Sequence, residues 1–172
     1  FNLGNTIMGY GLSLASSSGM RHALPHKAIS IMGDGGFWHN GLTSGVTSAV
    51  FNEHDGLLIV IDNGYSAATG GQDIPSLVEP NLIATTLDAS QPKRDSWQTI
   101  EDACLGAGVK WIRTVSTYNI AAMKETLRSA LTIDAPGLKV VVAEGECMLN
   151  RQRRVKPLIR QAVSEGRRVK RA

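Results

Sequence analysis

The chain has 172 residues, 42% of them hydrophobic, enough for one globular domain with a sizeable core. Its net charge of +3 hides an asymmetry: from Arg151 onward nine Lys/Arg face one acid, Glu165, leaving nine basic and fourteen acidic residues, a net of −5, in positions 1–150. No run of eighteen apolar residues implies a transmembrane helix, and the opening Phe1-Asn2-Leu3-Gly4-Asn5 lacks the basic n-region of a signal peptide.

Residues from about Asn5 to Met20 are expected to form a helix crowded with small residues, among them Gly9, Gly11, Ser13 and Ala15 to Ser18. Glycine weakens a helix, so this density suggests close approach by a cofactor, a neighbouring subunit or another helix. Arg21 to Lys27, with Pro25, leads into the apolar run Ala28 to Met32, which reads as a strand. After Gly33-Asp34-Gly35-Gly36, a helix is expected from about Phe37 to Asn52, with Leu42, Val46, Ala49 and Val50 as the stripe lying on the sheet. Leu57 to Ile61 is continuously apolar, as suits a parallel strand covered on both faces, and it ends in Asp62-Asn63-Gly64-Tyr65.

From Asn63 to Ser96 the chain carries Pro75, Pro80 and Pro92 with little periodicity; loops this long in compact domains are commonly functional. Lys93 and Arg94 in it are surface cations or contacts for an anionic partner. A helix from Trp97 to Gly106 and a strand from Lys110 to Val115 follow. Asn119 is a suitable N-cap for a helix whose stripe is Ile120, Met123, Leu127, Ala130 and Leu131, stopped by Asp134-Ala135-Pro136-Gly137. Leu138 to Ala143 is a further buried strand. The alternation predicts an α/β fold, a doubly wound, mostly parallel sheet flanked by helices. Residues 1–150 form the domain, and 151–172 a basic helical linker or packing segment in which Pro157 interrupts the spacing of Val155, Leu158, Ile159, Ala162 and Val163. With no aromatic residue interleaved, this segment is not expected to bind nucleic acid or a membrane.

Two strand-end loops, at Gly33 and Asp62, can face one crevice at the carboxyl ends of neighbouring parallel strands, where open α/β sheets bind ligands. Gly35 and Gly36 at a helix mouth can offer backbone N–H groups to an acceptor-rich anion such as a diphosphate. A hard cation sharing that charge would find a carboxylate at Asp34, an amide oxygen at Asn63 and a backbone carbonyl after it, that of Tyr65. Taken singly, each loop is equally readable as a tight turn. His39, in the first helical turn, is a surface or cap residue or an active-site residue.

Gly33-Asp34-Gly35 followed about 30 residues later by Asp62-Asn63 resembles the thiamine diphosphate motif, with Asp62 in place of the first of two Asn. Tyr65-Ser66-Ala67-Ala68-Thr69-Gly70-Gly71-Gln72 resembles the segment after the metal site in 2-oxoacid:ferredoxin oxidoreductases. Phe37-Trp38-His39-Asn40-Gly41, Met8-Gly9, Glu144 to Leu149 and Arg151-Gln152-Arg153-Arg154 are similar to the alpha-type subunit of indolepyruvate ferredoxin oxidoreductase. The resemblance implies thiamine diphosphate with Mg²⁺ or Ca²⁺ as cofactors. The ion would be held by Asp34, Asn63 and Tyr65, the cofactor by Gly33, Gly35, Gly36, Ser66 and Thr69 as well, and His39 would be catalytic.

The implied reaction is oxidative decarboxylation of a 2-oxoacid, an arylpyruvate such as indolepyruvate, with coenzyme A taking the acyl group and ferredoxin the electrons. The implied protein is an oligomer. The acid that activates the cofactor is expected in another domain, and so are the [4Fe-4S] clusters, because Cys104 and Cys147 are too few to ligate one. The two cysteines fit a reducing, cytoplasmic compartment. The chain thus reads as a fragment of a longer polypeptide, inactive alone. The competing readings are a non-oxidative thiamine diphosphate decarboxylase or carboligase and a non-enzymatic nucleotide-binding module, the latter lacking a G-x-G-x-x-G after the first strand.

Overall fold

Four apolar stretches pair into one parallel sheet in the computed structural model, which describes residues 9–20, 23, 25–66, 71–72, 74–76 and 98–167. The strands are β1 (Ile29–Gly33), β2 (Leu57–Asp62), β3 (Trp111–Ser116) and β4 (Lys139–Glu144), in the order β1-β2-β4-β3. Gly33 lies beside Ile61, and Asp62 beside Glu144, so the carboxyl ends of β1, β2 and β4 form one rim. The helices are α1 (Ser13–Met20), α2 (residues 34–51), α3 (Ile100–Gly106), α4 (Ile120–Thr132) and α5 (Met148–Ser164). The α/β fold with a parallel sheet between helices is therefore the observed one.

One face of the sheet carries the larger core. Met32, Leu58, Val60, Ile112, Val140 and Val142 point at Leu14 of α1, at Phe37, Val46 and Ala49 of α2, and at Ile100 and Cys104 of α3. Phe37 is fully buried, and the burial of such a side chain is worth about 1.5–3 kcal/mol. On the other face α4 sets Met123, Leu127 and Ala130 against Leu57, Ile59, Trp111 and Val141. The expected stripe is thereby narrowed: Ile120 is 79% exposed and Leu131 38%, because the apolar stripe covers only two turns of sheet contact. This helix does not reach β1, whose Ile29 and Ile31 are 52% and 56% exposed.

The ends of the elements follow local chemistry. Asn119 Oδ1 accepts the Ala122 N–H at 3.1 Å and Thr99 Oγ1 accepts the Asp102 N–H at 2.9 Å, so α3 starts at Ile100, three residues later than expected. Residues 9–12 form a turn in place of the expected helical residues, since Gly9 (φ 140°) and Gly11 (φ 74°) take backbone angles that a helix cannot use. Pro157 lies inside α5 without ending it.

Within α2, Phe37–Val46 is wound as a π-helix between an α-turn, Asp34–Gly36, and an α-helical end, Thr47–Phe51. Such turns are rare and frequent at functional sites. A Cβ on Gly41 would stand 2.5 Å from Met32 Sδ, and one on Gly45 would touch Leu14 at 3.5 Å. Those glycines let α2 lie close on β1 and α1.

At the amino ends of the strands Lys139 is buried, 1% exposed, near the start of a stretch that otherwise reads as apolar. Its Nζ meets Asp55 Oδ1 at 2.5 Å and the Ala135 carbonyl. Lys27 reaches the same Asp55 oxygen at 3.3 Å and the Ile133 carbonyl at 3.1 Å. Burial raises the Asp55 carboxyl, but the Lys139 and Lys27 ammonium groups outweigh it and hold the group below its ordinary value of 3.8.

Candidate functional site

The rim at the carboxyl ends of β1 and β2 is built around Asp34, only 2% exposed. Its Oδ1 accepts the N–H of Gly35 at 2.6 Å and its Oδ2 the N–H of Asn63 at 2.8 Å. A buried carboxylate needs such partners, and these two fix its plane across the gap between the strand-end loops. The helix begins at Asp34, so Gly35 and Gly36 lie inside its first turn, and the Gly35 N–H is directed at Asp34. The Asn63 side chain is turned forward: its Oδ1 accepts the Tyr65 N–H at 3.1 Å, a local Asx turn.

Asp62 adds a second carboxyl beside the first. Burial, then the charge of Asp34 and that of Glu144 beside it on β4, push its pKa up to about 6, against the Gly64 N–H that favours the charged form. Among the described residues no Lys or Arg pairs with Asp34 or Asp62. Nor do three His, Cys, Asp or Glu side chains converge as a ready metal cluster there, so a cation at this rim would depend on amide, carbonyl and cofactor oxygens.

The loop after Asn63 closes over the helix mouth. Tyr65 and Ser66 are both buried, Ser66 pairs with Gln72 through N–H to carbonyl bonds of 3.1 and 3.2 Å, and Ser66 Oγ lies 3.0 Å from the hydroxyl of Tyr10. A Cβ at Gly35 would run into the Tyr10 hydroxyl and stand 2.6 Å from Ser66 Oγ, whereas one at Gly33 would meet no atom within 4 Å. A side chain at position 35 would thus displace both, and position 33 faces open space among the described residues. Gly36 packs against Gly11, whose own Cβ would stand 2.5 Å from the Gly36 carbonyl; the small residues ahead of α1 serve this approach.

A cleft of about 390 Å³ opens beside this cradle, lined by Tyr10, Gly35, Trp38, His39, Ser66 and Ile74, among others. The rings of Tyr10 and His39 lie 5.6 Å apart, tilted by 56°, and Trp38 Nε1 donates to Ser76 Oγ at 3.0 Å. The structure therefore gathers Gly33, Asp34, Gly35, Gly36, His39, Asn63, Tyr65 and Ser66 at one rim; Thr69 lies outside the described residues. Tyr10 had no signal of its own in the sequence beyond its place between two glycines, and the reach of Arg153 Nη1 to Tyr65 Oη, at 2.7 Å, had none at all.

Residues 1–143 match the family model described as the thiamine pyrophosphate enzyme, C-terminal TPP binding domain. The chain belongs to this family. It is 33% identical over 139 residues to the indolepyruvate oxidoreductase subunit IorA of Archaeoglobus fulgidus, covering 81% of this chain and 20% of that protein. The subunit of the same name from Methanothermobacter thermautotrophicus is 29% identical over 150 residues, covering 87% and 22%. The thiamine pyrophosphate-binding chain thus spans about a fifth of the length of these relatives.

Among solved structures, the 2-oxoglutarate:ferredoxin oxidoreductase from Magnetococcus marinus superposes with a TM-score of 0.63 at 17% identity, over 80% of this chain and 46% of that one. The thiamine diphosphate-dependent 4-hydroxybenzoylformate decarboxylase of Rhodococcus jostii RHA1 does so with a TM-score of 0.51 at 18% identity, over 79% and 23%. At these identities they share the fold. No helix among the described residues is long and apolar enough to cross a membrane.

Proposed function

We propose that this domain holds the diphosphate end of thiamine diphosphate through a divalent cation, Mg²⁺ or Ca²⁺, within a 2-oxoacid:ferredoxin oxidoreductase acting on an arylpyruvate such as indolepyruvate. The observation that carries the reading is the Asp34 carboxylate, buried, held by one N–H of its own helical turn and one of the loop after β2, and next to a second carboxyl, with no cationic side chain among the described residues paired to either. Such a donor set suits a hard ion. The likeness to IorA subunits supports the oxidoreductase over a non-oxidative decarboxylase or carboligase, and the Asp34 and Asn63 pair has no task in a plain nucleotide-binding module.

In this reading Asp34, the Asn63 side-chain oxygen and the Tyr65 carbonyl are the ion's ligands. Gly33, Gly35, Gly36, Ser66 and Thr69 line the diphosphate. When bound, the cofactor's ring supplies the electron sink for loss of CO₂ from the 2-oxoacid. This chain's part is to bind and orient: Asp34 is fixed by two N–H groups, Gly35 leaves the cradle open, and Tyr10, Trp38 and His39 wall the cleft, with His39 placed to touch substrate. Coenzyme A, ferredoxin, [4Fe-4S] clusters and the acid that activates the cofactor belong to other parts of a cytoplasmic, oligomeric complex, to which residues 151–172 lead from the binding domain, residues 1–150.

The test is a calorimetric titration of the complete complex with thiamine diphosphate, with and without Mg²⁺. Metal-dependent binding that is lost in Asp34→Ala and in Asn63→Ala is the expected result; binding indifferent to Mg²⁺ overturns the reading. Turnover of aryl, branched and simple 2-oxoacids with a low-potential acceptor then fixes the substrate, and turnover without electron transfer selects the non-oxidative alternative.

A further inference from the structure

The ion-ligand role assigned above to the Tyr65 carbonyl requires that this residue be held still, and the structure holds it from two sides. Its N–H is fixed by Asn63 Oδ1 at 3.1 Å. Its hydroxyl, at the far end of a ring that is 6% exposed, accepts a hydrogen bond from Arg153 Nη1 at 2.7 Å, across 88 positions of sequence. Gly71 completes the socket: its φ of 86° suits glycine, and a Cβ there would run into the Tyr65 hydroxyl and lie 3.4 Å from Arg153 Nη1.

Arg153 belongs to α5, whose polar ties to the body among the described residues lie near its start. Arg151 pairs with Glu146 at 3.7 Å, and Met148 Sδ takes the Tyr118 hydroxyl at 3.9 Å. From position 155 to 164, the described residues make no hydrogen bond or ion pair to the body, and Leu158 and Val163 are exposed. Among the described side chains the Arg153 to Tyr65 bond is therefore the last polar attachment of the helix to the body, and it ends on the loop that carries two of the three assigned ion ligands.

We propose that Arg153 is a positioning residue for the metal loop, acting through the Tyr65 ring to keep the Tyr65 carbonyl turned toward the ion, so that affinity for the ion depends on the seating of α5. This rests on the proposed function. An ionised donor to a phenol oxygen is a strong, directional bond, and the guanidinium's planar fork cannot be fully replaced by a lysine ammonium.

The experiment is calorimetry of Mg²⁺ binding to the complete complex at saturating thiamine diphosphate. It compares wild type with Arg153→Met, Arg153→Lys, Tyr65→Phe and the double variant Arg153→Met/Tyr65→Phe. Arg153→Met keeps the apolar stem, and thermal unfolding shows whether each variant is folded. Arg153→Met and Tyr65→Phe are each expected to weaken Mg²⁺ binding on the order of ten-fold, the double variant no more than either alone, and Arg153→Lys to recover part of the loss. Wild-type affinity in Arg153→Met, or losses that multiply in the double variant, overturns the inference while leaving the proposed function standing. Absence of metal-dependent cofactor binding in the wild-type complex overturns both.

Discussion

The Asn63 N–H donates to Asp34 Oδ2 across 2.8 Å, joining the loop after β2 to the first turn of α2. Because the same carboxylate also takes the Gly35 N–H, Asp34→Ala leaves two donors without their acceptor. The cofactor-free protein should lose about 2 kcal/mol in urea unfolding, within the cost of about 1–3 kcal/mol for a buried unpaired group. Metal-dependent cofactor uptake should vanish with it. An Asp34→Ala protein as stable as wild type would show that these bonds are not held in solution.

Gly35 and Gly33 differ in what surrounds them, and their alanine variants should differ accordingly. Gly35→Ala forces apart Tyr10 and Ser66 and is expected to cost about 1–3 kcal/mol, as overpacking does. Gly33 has ordinary extended angles (φ −80°, ψ 163°) and open space around it, so Gly33→Ala should change unfolding free energy by less than about 0.5 kcal/mol. Equal losses in chemical denaturation would contradict the geometry. Weakened cofactor binding in a fully stable Gly33→Ala protein would place the cofactor in that open space.

The carboxyl of Asp62 titrates near pH 6 in the cofactor-free protein because it is buried beside Asp34. A carboxyl raised above its unfolded value of 3.8 opposes folding once ionised, so stability should fall as pH rises from about 4 through 6. Asp62→Asn removes this slope and should stabilise the cofactor-free protein at pH 7 by on the order of 2 kcal/mol. Thermal melts of both proteins between pH 4 and 8 without divalent ions provide the check. A wild-type curve that is flat over that window, or rises, rejects the crowded-carboxyl description.

Asp55 makes the opposite prediction. Held below 3.8 by Lys139 and Lys27, it contributes stability that is present above that value and lost as pH falls through its lower folded-state pKa. Asp55→Asn leaves the buried Lys139 ammonium without its carboxylate. The cost should be on the order of 2 kcal/mol at neutral pH, between that of an exposed and of a fully buried pair because Asp55 itself is 38% exposed. Acid unfolding below pH 3.8 should lose part of its steepness in the variant, and an unchanged acid limb would count against the pairing.

Much of this was legible in residue order. The strands were readable from their apolar runs, the start of α4 from Asn119, and the meeting of the Gly33 and Asp62 loops from the rule that parallel neighbours end side by side. What periodicity could not show were contacts between distant segments. Lys139 stands in an apolar strand because Asp55, 84 positions earlier, receives it, and the alternation of Ile29 and Ile31 gives no hint that α4 stops short of them. Tyr10 and Arg153 escaped for the same reason: they meet the loop after β2 from 56 and 88 positions away, a separation no local pattern records.

Lys27, Asp55 and Lys139 clasp the strands where they begin, while Asp34, Asp62 and the aromatic cleft sit where β1 and β2 finish. Anchorage and chemistry are thereby assigned to opposite poles of one sheet. Loops at the finishing pole can be exchanged while the clasp keeps the strands in step, which makes this scaffold a favourable starting point for loop replacement.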